Sequence, residues 1–171
     1  LPLCLDAIKD HVDGIVFVDG GSTDKTLEIL EVYKLEMKAY TLDTKKFHII
    51  NRRYEHEHPH ANSRARTAYL DFLKKHYKDH WAIALDPDEI VDENFPHFVK
   101  ELKAGKYDYV DISSIHMRHT MNTLGQEDVT SPQHFVPARL FKITDNIRYP
   151  NGEHPVLQGT QNTIYGACTM F

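Results

Sequence analysis

Ile15-Val16-Phe17-Val18-Asp19-Gly20-Gly21-Ser22-Thr23-Asp24 is the stretch that decides the fold class. Four consecutive apolar residues that stop at a turn suit a strand buried on both faces. Asp19-Gly20-Gly21 supplies the turn. Ser22, Thr23 and Asp24 then offer caps for a helix in which Leu27, Ile29, Leu30 and Val32 recur at helical spacing. Strand, turn and helix in that order open an α/β unit.

Working outward, residues 3–9 read as a short helix and residues 38–42 as a second strand. Residues 51–60 are polar and rich in His and Arg. A long helix is expected over residues 61–78, with Ala65, Ala68, Tyr69, Phe72 and Leu73 inward. Trp81-Ala82-Ile83-Ala84-Leu85 reads as another buried strand, ending abruptly at Asp86-Pro87-Asp88-Glu89. Residues 95–102 are helical in pattern and Gly105 stops them. Residues 107–115 and 135–143 alternate well enough for strands. The alternation of strands and helices implies a mostly parallel sheet flanked by helices. With no repeat, low-complexity tract or composition break, residues 1–171 are expected to form one domain.

Composition limits the function. The chain has 171 residues, 20 of them Lys or Arg against 25 Asp or Glu, a net charge of −5. That balance argues against a nucleic-acid partner, which calls for a basic face. Apolar residues make up 41% of the chain, enough for a core, yet no run approaches the roughly 20 residues of a membrane helix. Cys4 and Cys168 are the only cysteines, too few for a disulfide scaffold or a cysteine zinc site. Both ends read as internal sequence, so the chain is expected to be trimmed there, and no targeting segment can be judged.

Ligands of open α/β sheets bind beyond the carboxyl ends of the strands, and two apolar strands here end in acid, at Asp19 and at Asp86. In an extended segment residues i and i+2 point the same way, so Asp86 and Asp88 can converge on one object, with Pro87 stiffening the backbone between them. Two like charges held together call for a cation. Oxygen ligands suit Mg²⁺ or Mn²⁺, which complete their shells with water and phosphate. The other reading is a solvated loop that caps the next helix near Asp92 or Glu93.

Together these pieces resemble inverting glycosyltransferase family 2, whose fold is the Rossmann-like GT-A fold. Val16 to Thr26 resembles the family's hhhDxxSxDxT signature, and Arg66-Thr67-Ala68-Tyr69-Leu70 is similar to its RNxAL helix start. Trp81 to Val91 resembles WhhhLDxDEhh, which carries the DxD element. Arg139-Leu140-Phe141-Lys142 looks like the RLFR segment, and Gly152-Glu153-His154 falls where one subgroup shows gxHE. That subgroup adds sugars to lipopolysaccharide cores. Family members begin with a strand that lines the nucleotide pocket; the chain as given starts in the helix after it, so the first strand of the fold is expected to be absent.

The resemblance implies a metal-dependent transfer of a sugar, with inversion, from a nucleotide-sugar donor, a UDP-sugar first, to a hydroxyl of a glycan or lipid-linked acceptor. Asp19 would contact the uracil or ribose, and Arg66, or its neighbour Arg64, a phosphate or the base edge. Ser22 and Asp24 read as helix caps. Asp86 would lie toward the ribose and metal and Asp88 would bind the Mn²⁺ or Mg²⁺ directly, with His154 a further ligand. Glu153 is the first candidate for the base, with Asp128 and Glu127 as rivals, because Pro155 stands where the subgroup pattern has a carboxylate after the His. His56, His58 and His60 read as a solvated loop on the acceptor side. A cytoplasmic location is implied, with the membrane surface open to it because many family acceptors are lipid-linked. Two other classes stay in play: a non-catalytic nucleotide-sugar or glycan binding domain, and a nucleotidyltransferase, whose basic glycine-rich phosphate loop this chain lacks.

Overall fold

The structure, a computed structural model, describes residues 1–40, 46–91, 95–97, 100, 109–114, 140–152, 157–159 and 163–170. Its contacts divide the chain into two compact units. The first comprises Leu1–Lys78 and Thr144–Gly159; the second comprises Asp79–Ile143 and Thr160–Phe171.

In the first unit, β1 (Gly14–Asp19) and β2 (Lys46–Asn51) pair in parallel, in unbroken register from Gly14 opposite Lys46 to Asp19 opposite Asn51. A parallel pair needs a crossover, and α2 (Thr26–Tyr40) lies between the two strands in the chain. Residues 38–40 are therefore the last turn of a helix and not the start of a second strand; residues 41–42 lie outside the described residues. The true partner strand is Lys-Phe-His-Ile-Ile-Asn, whose apolar residues Phe47, Ile49 and Ile50 follow a charged start. With only two strands in this sheet, Ile15 and Phe47 are buried while Val16, Phe17 and Val18 are half-buried, short of the two-sided burial expected for them.

Helix packing in this unit follows stripes that differ from those expected. On α2 the buried stripe is Leu30, Tyr33 and Met37, spaced i, i+3, i+7, whereas Leu27 and Val32 are exposed. Asp24 does act as a cap, its Oδ1 accepting the Thr26 backbone N–H at 2.9 Å. On α3 (Ala61–His76) the buried residues are Ala61, Ser63 and Leu70, and the five expected inward residues are half-buried. Burial of a serine was invisible to an apolar pattern because its hydroxyl is satisfied from a distant segment: Ser63 Oγ donates to the Pro150 carbonyl at 2.6 Å. Lys74, Lys75 and His76 crowd the last turn of α3, where positive charge suits the helix dipole. The short α1 (Pro2–Ile8) places proline in its first turn, where no amide partner is lost, and buries Cys4, Leu5 and Ile8.

The segment Thr144–Gly159 completes this unit. Arg148 and Gln158 exchange two backbone hydrogen bonds of 2.9 Å, and Lys78 pairs with the Asp145 carboxylate. Ile147, Tyr149 and Leu157 are buried.

In the second unit, β3 (Trp81–Ile83), β4 (Tyr109–Ser114), β5 (Leu140–Lys142) and β6 (Thr163–Met170) form a sheet of order β3-β5-β4-β6. β5 runs antiparallel to both neighbours and β4 pairs in parallel with β6, so this sheet is mixed where a mostly parallel one was expected. Being central, β5 buries Leu140 and Phe141 on opposite faces, while β3 at the edge is half-buried. Residues 95–97 are helical, with Phe95 buried. Among the described residues no helix is long and apolar enough to cross a membrane.

Two predictions arise from this packing. His48 on β2 lies 4.9 Å from the Phe72 ring and its Nε2 is 3.0 Å from the Tyr77 hydroxyl. Burial, then the positive charges of His76, Lys46 and Lys34, hold its pKa below the ordinary value of about 6.5. The unfolded chain therefore takes up this proton more readily, so the contribution is complete above about pH 6.5 and is lost as pH falls toward the folded value. Urea titrations at pH 7.5 and 5.5 are expected to show a stability loss that is smaller in His48→Gln. Gly159 sits at φ +92°, with the Asn146 carbonyl oxygen 2.1 Å from the place of a Cβ. Gly159→Ala is expected to lower stability by more than the ~1–2 kcal/mol of left-handed strain alone, read as a fall in Tm.

Candidate active site

The carboxyl ends of β1 and β2 build the first unit's candidate site. Their ladder continues past the strands, with Arg52 N–H donating to the Asp19 carbonyl at 2.9 Å and Tyr54 N–H to that of Gly20 at 2.7 Å. Asp19 itself is buried, only 3% exposed. Its Oδ2 accepts the Gly21 N–H at 3.0 Å, and both its oxygens face the Ser22 N–H at 3.2 and 3.3 Å. Gly21 reaches this position at φ +98°, which a side chain would resist. Burial alone would push the Asp19 pKa up, and repulsion from Asp24 adds to that. The Ser22 hydroxyl and the Gly21 and Ser22 amides together outweigh both, so its pKa lies below the usual carboxylate range. Ser22 is thus a partner of Asp19 and not a cap of α2.

Around this loop stand residues that the sequence reading left within a polar stretch. Arg52, Arg53, Tyr54, Glu55 and Arg64 line a small recess, with Ala61 and Ala65 beside them. Tyr54 packs so close to Gly20 that a Cβ there would meet its own Cβ at 3.2 Å, and its hydroxyl donates to Asn62 Oδ1 at 2.6 Å. Arg64 pairs with Glu55 across the recess. Neither Arg52 nor Arg53 has an ion-pair partner among the described residues. The signal for these arginines was present: they follow Phe47-His48-Ile49-Ile50, an apolar strand whose carboxyl end is a ligand position in α/β sheets.

α3, which packs against β1, separates the two arginines that the sequence left as alternatives. Two positions apart on a helix they diverge by roughly 200°. Arg64 turns to Glu55, while the Arg66 guanidinium stands over the Tyr149 ring, 5.7 Å from its centre. The histidine stretch is a series of turns, in which His58 Nδ1 accepts the His60 N–H at 3.0 Å and His56 meets Tyr54 edge-on.

In the second unit, Asp86 to Glu89 is a β-turn closed by the Glu89 N–H to Asp86 carbonyl bond of 2.9 Å. Among described non-glycine residues only Asp79 has positive φ, so Asp88 does not; with Pro87 at the second corner this is a type I turn. Glu89 answers the bond, one carboxylate oxygen accepting the Asp86 N–H at 2.7 Å. The extended geometry expected for Asp86 and Asp88 is therefore replaced by a turn. Both residues are exposed. They bring two oxygen donors of the kind that hard divalent ions take, and the rest of such a shell is commonly water and phosphate. Among the described residues no three His, Cys, Asp or Glu gather into a metal-binding group. The remaining candidates, Glu153, His154, Asp128 and Glu127, lie outside the described residues.

A family model described as glycosyl transferase family 2 matches residues 1–156. No curated protein and no solved structure matches the chain.

The Asp19 loop yields a test of its own. Asp19→Ala leaves two amides in a buried turn without their acceptor, which is expected to cost about 1–3 kcal/mol in a urea titration. Because the folded pKa is depressed, the wild-type advantage over Asp19→Asn is expected in full above about pH 4 and to shrink as pH falls through the folded value. An advantage that does not change with pH would show that the carboxylate charge is not what the loop holds.

Proposed function

The chain belongs to glycosyl transferase family 2, a family of glycosyltransferases that act on a nucleotide-sugar donor and an acceptor, and from that premise we propose a metal-dependent, inverting transfer from a UDP-sugar to a hydroxyl of a glycan or lipid-linked acceptor. The reading carries the lipopolysaccharide-core subgroup as its nearest likeness and gives the enzyme a cytoplasmic location, with the membrane surface open to it.

One observation supports this reading above the others. Two apolar strands leave their sheets through acidic turns of opposite character: Asp19 is buried and hydrogen-bonded, and Asp86 and Asp88 are exposed on one turn. In this proposal the first acid shapes the loop against which the nucleotide lies and adds an acceptor for it. The second pair would hold Mn²⁺ or Mg²⁺, whose chemistry when bound would be to offset charge on a diphosphate leaving group. Arg66 offers a forked set of donors to the base or a phosphate. Glu153, with Asp128 as the rival, removes the acceptor proton on the face opposite the leaving group, as inversion requires, and His154 completes the metal's protein ligands.

A second reading, a binding domain without turnover, is favoured by Pro155, which occupies the place of the subgroup's carboxylate. Slow release of UDP from UDP-glucose, UDP-galactose or UDP-N-acetylglucosamine in the presence of MnCl₂ separates the two, since only a working site cleaves the donor. Asp88→Ala is expected to reduce that release by about 100-fold or more, the scale of losing one group that stabilises developing charge, with an unchanged circular dichroism spectrum. Turnover retained in Asp88→Ala would overturn the metal assignment.

A further inference from the structure

We propose that the outer face of α2 docks a second copy of this chain, with the two α2 helices antiparallel about a two-fold axis. The proposal concerns a surface of the first unit and is independent of the nucleotide reading.

A surface helix ordinarily buries one apolar stripe and turns charge to solvent. α2 carries two stripes. Leu30, Tyr33 and Met37 are buried, and Val32, Leu35 and Ala39 repeat the same i, i+3, i+7 spacing at exposed positions. At 100° per residue the second stripe lies roughly 160° around the helix from the first. Val32 is 53% exposed and Leu35 65%. Of the four large apolar side chains exposed among the described residues, these two and Leu27 lie on α2. Single exposed apolar residues are ordinary, but a row of them at the spacing of a helix–helix seam has the form of a docking face.

The flanking charges identify the occupant. With Val32 and Ala39 at the a positions of a heptad and Leu35 at d, Glu31 and Lys38 take successive g positions and Glu36 takes e. In an antiparallel pair of identical helices, g positions face g positions. The register that sets Val32 of one copy against Leu35 of the other also sets Glu31 against Lys38, and the two-fold axis repeats that pair. A parallel pair would instead bring Glu31 against Glu36, five positions on, where like charges repel. The face is thus complementary to itself in one direction only. Glu31 also meets Lys34 on its own helix at 3.1 Å, but both side chains of that pair are exposed, so it contributes little against a second partner. The seam is short: the 15 residues of α2 span about 22 Å. Such a contact sits at the small end of specific interfaces, and its Kd is expected on the order of 100 μM.

The test is sedimentation equilibrium on the 171-residue chain, loaded from about 5 to about 500 μM to bracket that Kd. A monomer–dimer equilibrium is expected. Leu35→Glu is expected to weaken it at least about ten-fold, since it places a charge at the centre of the seam. Glu31→Lys and Lys38→Glu, each of which opposes like charges twice, are expected to weaken it about three- to ten-fold, and the variant carrying both to return within about two-fold of the wild type. Circular dichroism checks that each variant keeps its helices; should Leu35→Glu not fold, the charge exchange decides alone. A chain that stays monomeric throughout, whether or not it sediments with phosphatidylglycerol vesicles, would overturn the proposal. So would a dimer that Leu35→Glu leaves intact. A dimer strengthened by Glu31→Lys, or not recovered in the exchanged variant, would overturn the antiparallel pairing on which the choice of occupant rests.

Discussion

A buried carboxylate that accepts two amides of its own loop is the interaction on which the first unit's candidate site depends. Two parallel strands satisfy each other along their length, but where they stop the chain must turn away and its amides need acceptors. At the end of β1 Asp19 provides them. Its oxygens take the Gly21 and Ser22 N–H groups, and its carbonyl takes that of Arg52 from the neighbouring strand's extension. One residue therefore fixes the turn after β1 and ties it to the loop after β2. The charge survives burial because hydrogen bonds replace the water it lost.

The strands and helices nearest the motifs were legible in the sequence because each carries a local signal: an apolar run for β1, a cap at Asp24, a long amphipathic pattern for α3. What escaped was non-local. β2 starts at a lysine and contains His48, so its alternation was too weak to compete with a strand placed over residues 38–42, and α2 instead ran on to Tyr40. Ser63 and Tyr149 could not be read as partners of anything, since the Ser63 acceptor lies at Pro150 and Tyr149 is gripped from α3. Asp86 and Asp88 were read on one extended segment and lie instead on one turn. Pro87 at a second corner and Asp86 at a first favour a turn over an extended segment, and Glu89 sits where it can close it.

The two acidic exits differ in what they can still do. Asp19 has spent its oxygens largely on its own loop and is screened from solvent, so its contribution to a ligand comes with a fixed shape. Asp86 and Asp88 are exposed, and the turn's internal bonds involve the Asp86 backbone and the Glu89 side chain. A buried, hydrogen-bonded acid in one unit and exposed acids in the other are chemically unlike groups.

A chain with a net charge of −5 must nonetheless attract a polyanionic donor. Charges separated by more than about 8 Å are largely screened at physiological ionic strength, so the local balance decides. Residues 52–66 carry four arginines against two glutamates, and the structure sorts them by use. Arg64 is neutralised by Glu55, the Arg66 guanidinium lies 5.7 Å from the centre of the Tyr149 ring, and Arg52 and Arg53 follow the carboxyl end of β2 with no ion-pair partner among the described residues. The excess of positive charge beside the Asp19 loop thus falls on Arg52 and Arg53. Acidic residues more than a Debye length away act little on this loop, so the overall charge and the local arginines do not conflict. The placement of α3 itself depends on packing against a segment 80 or more residues away.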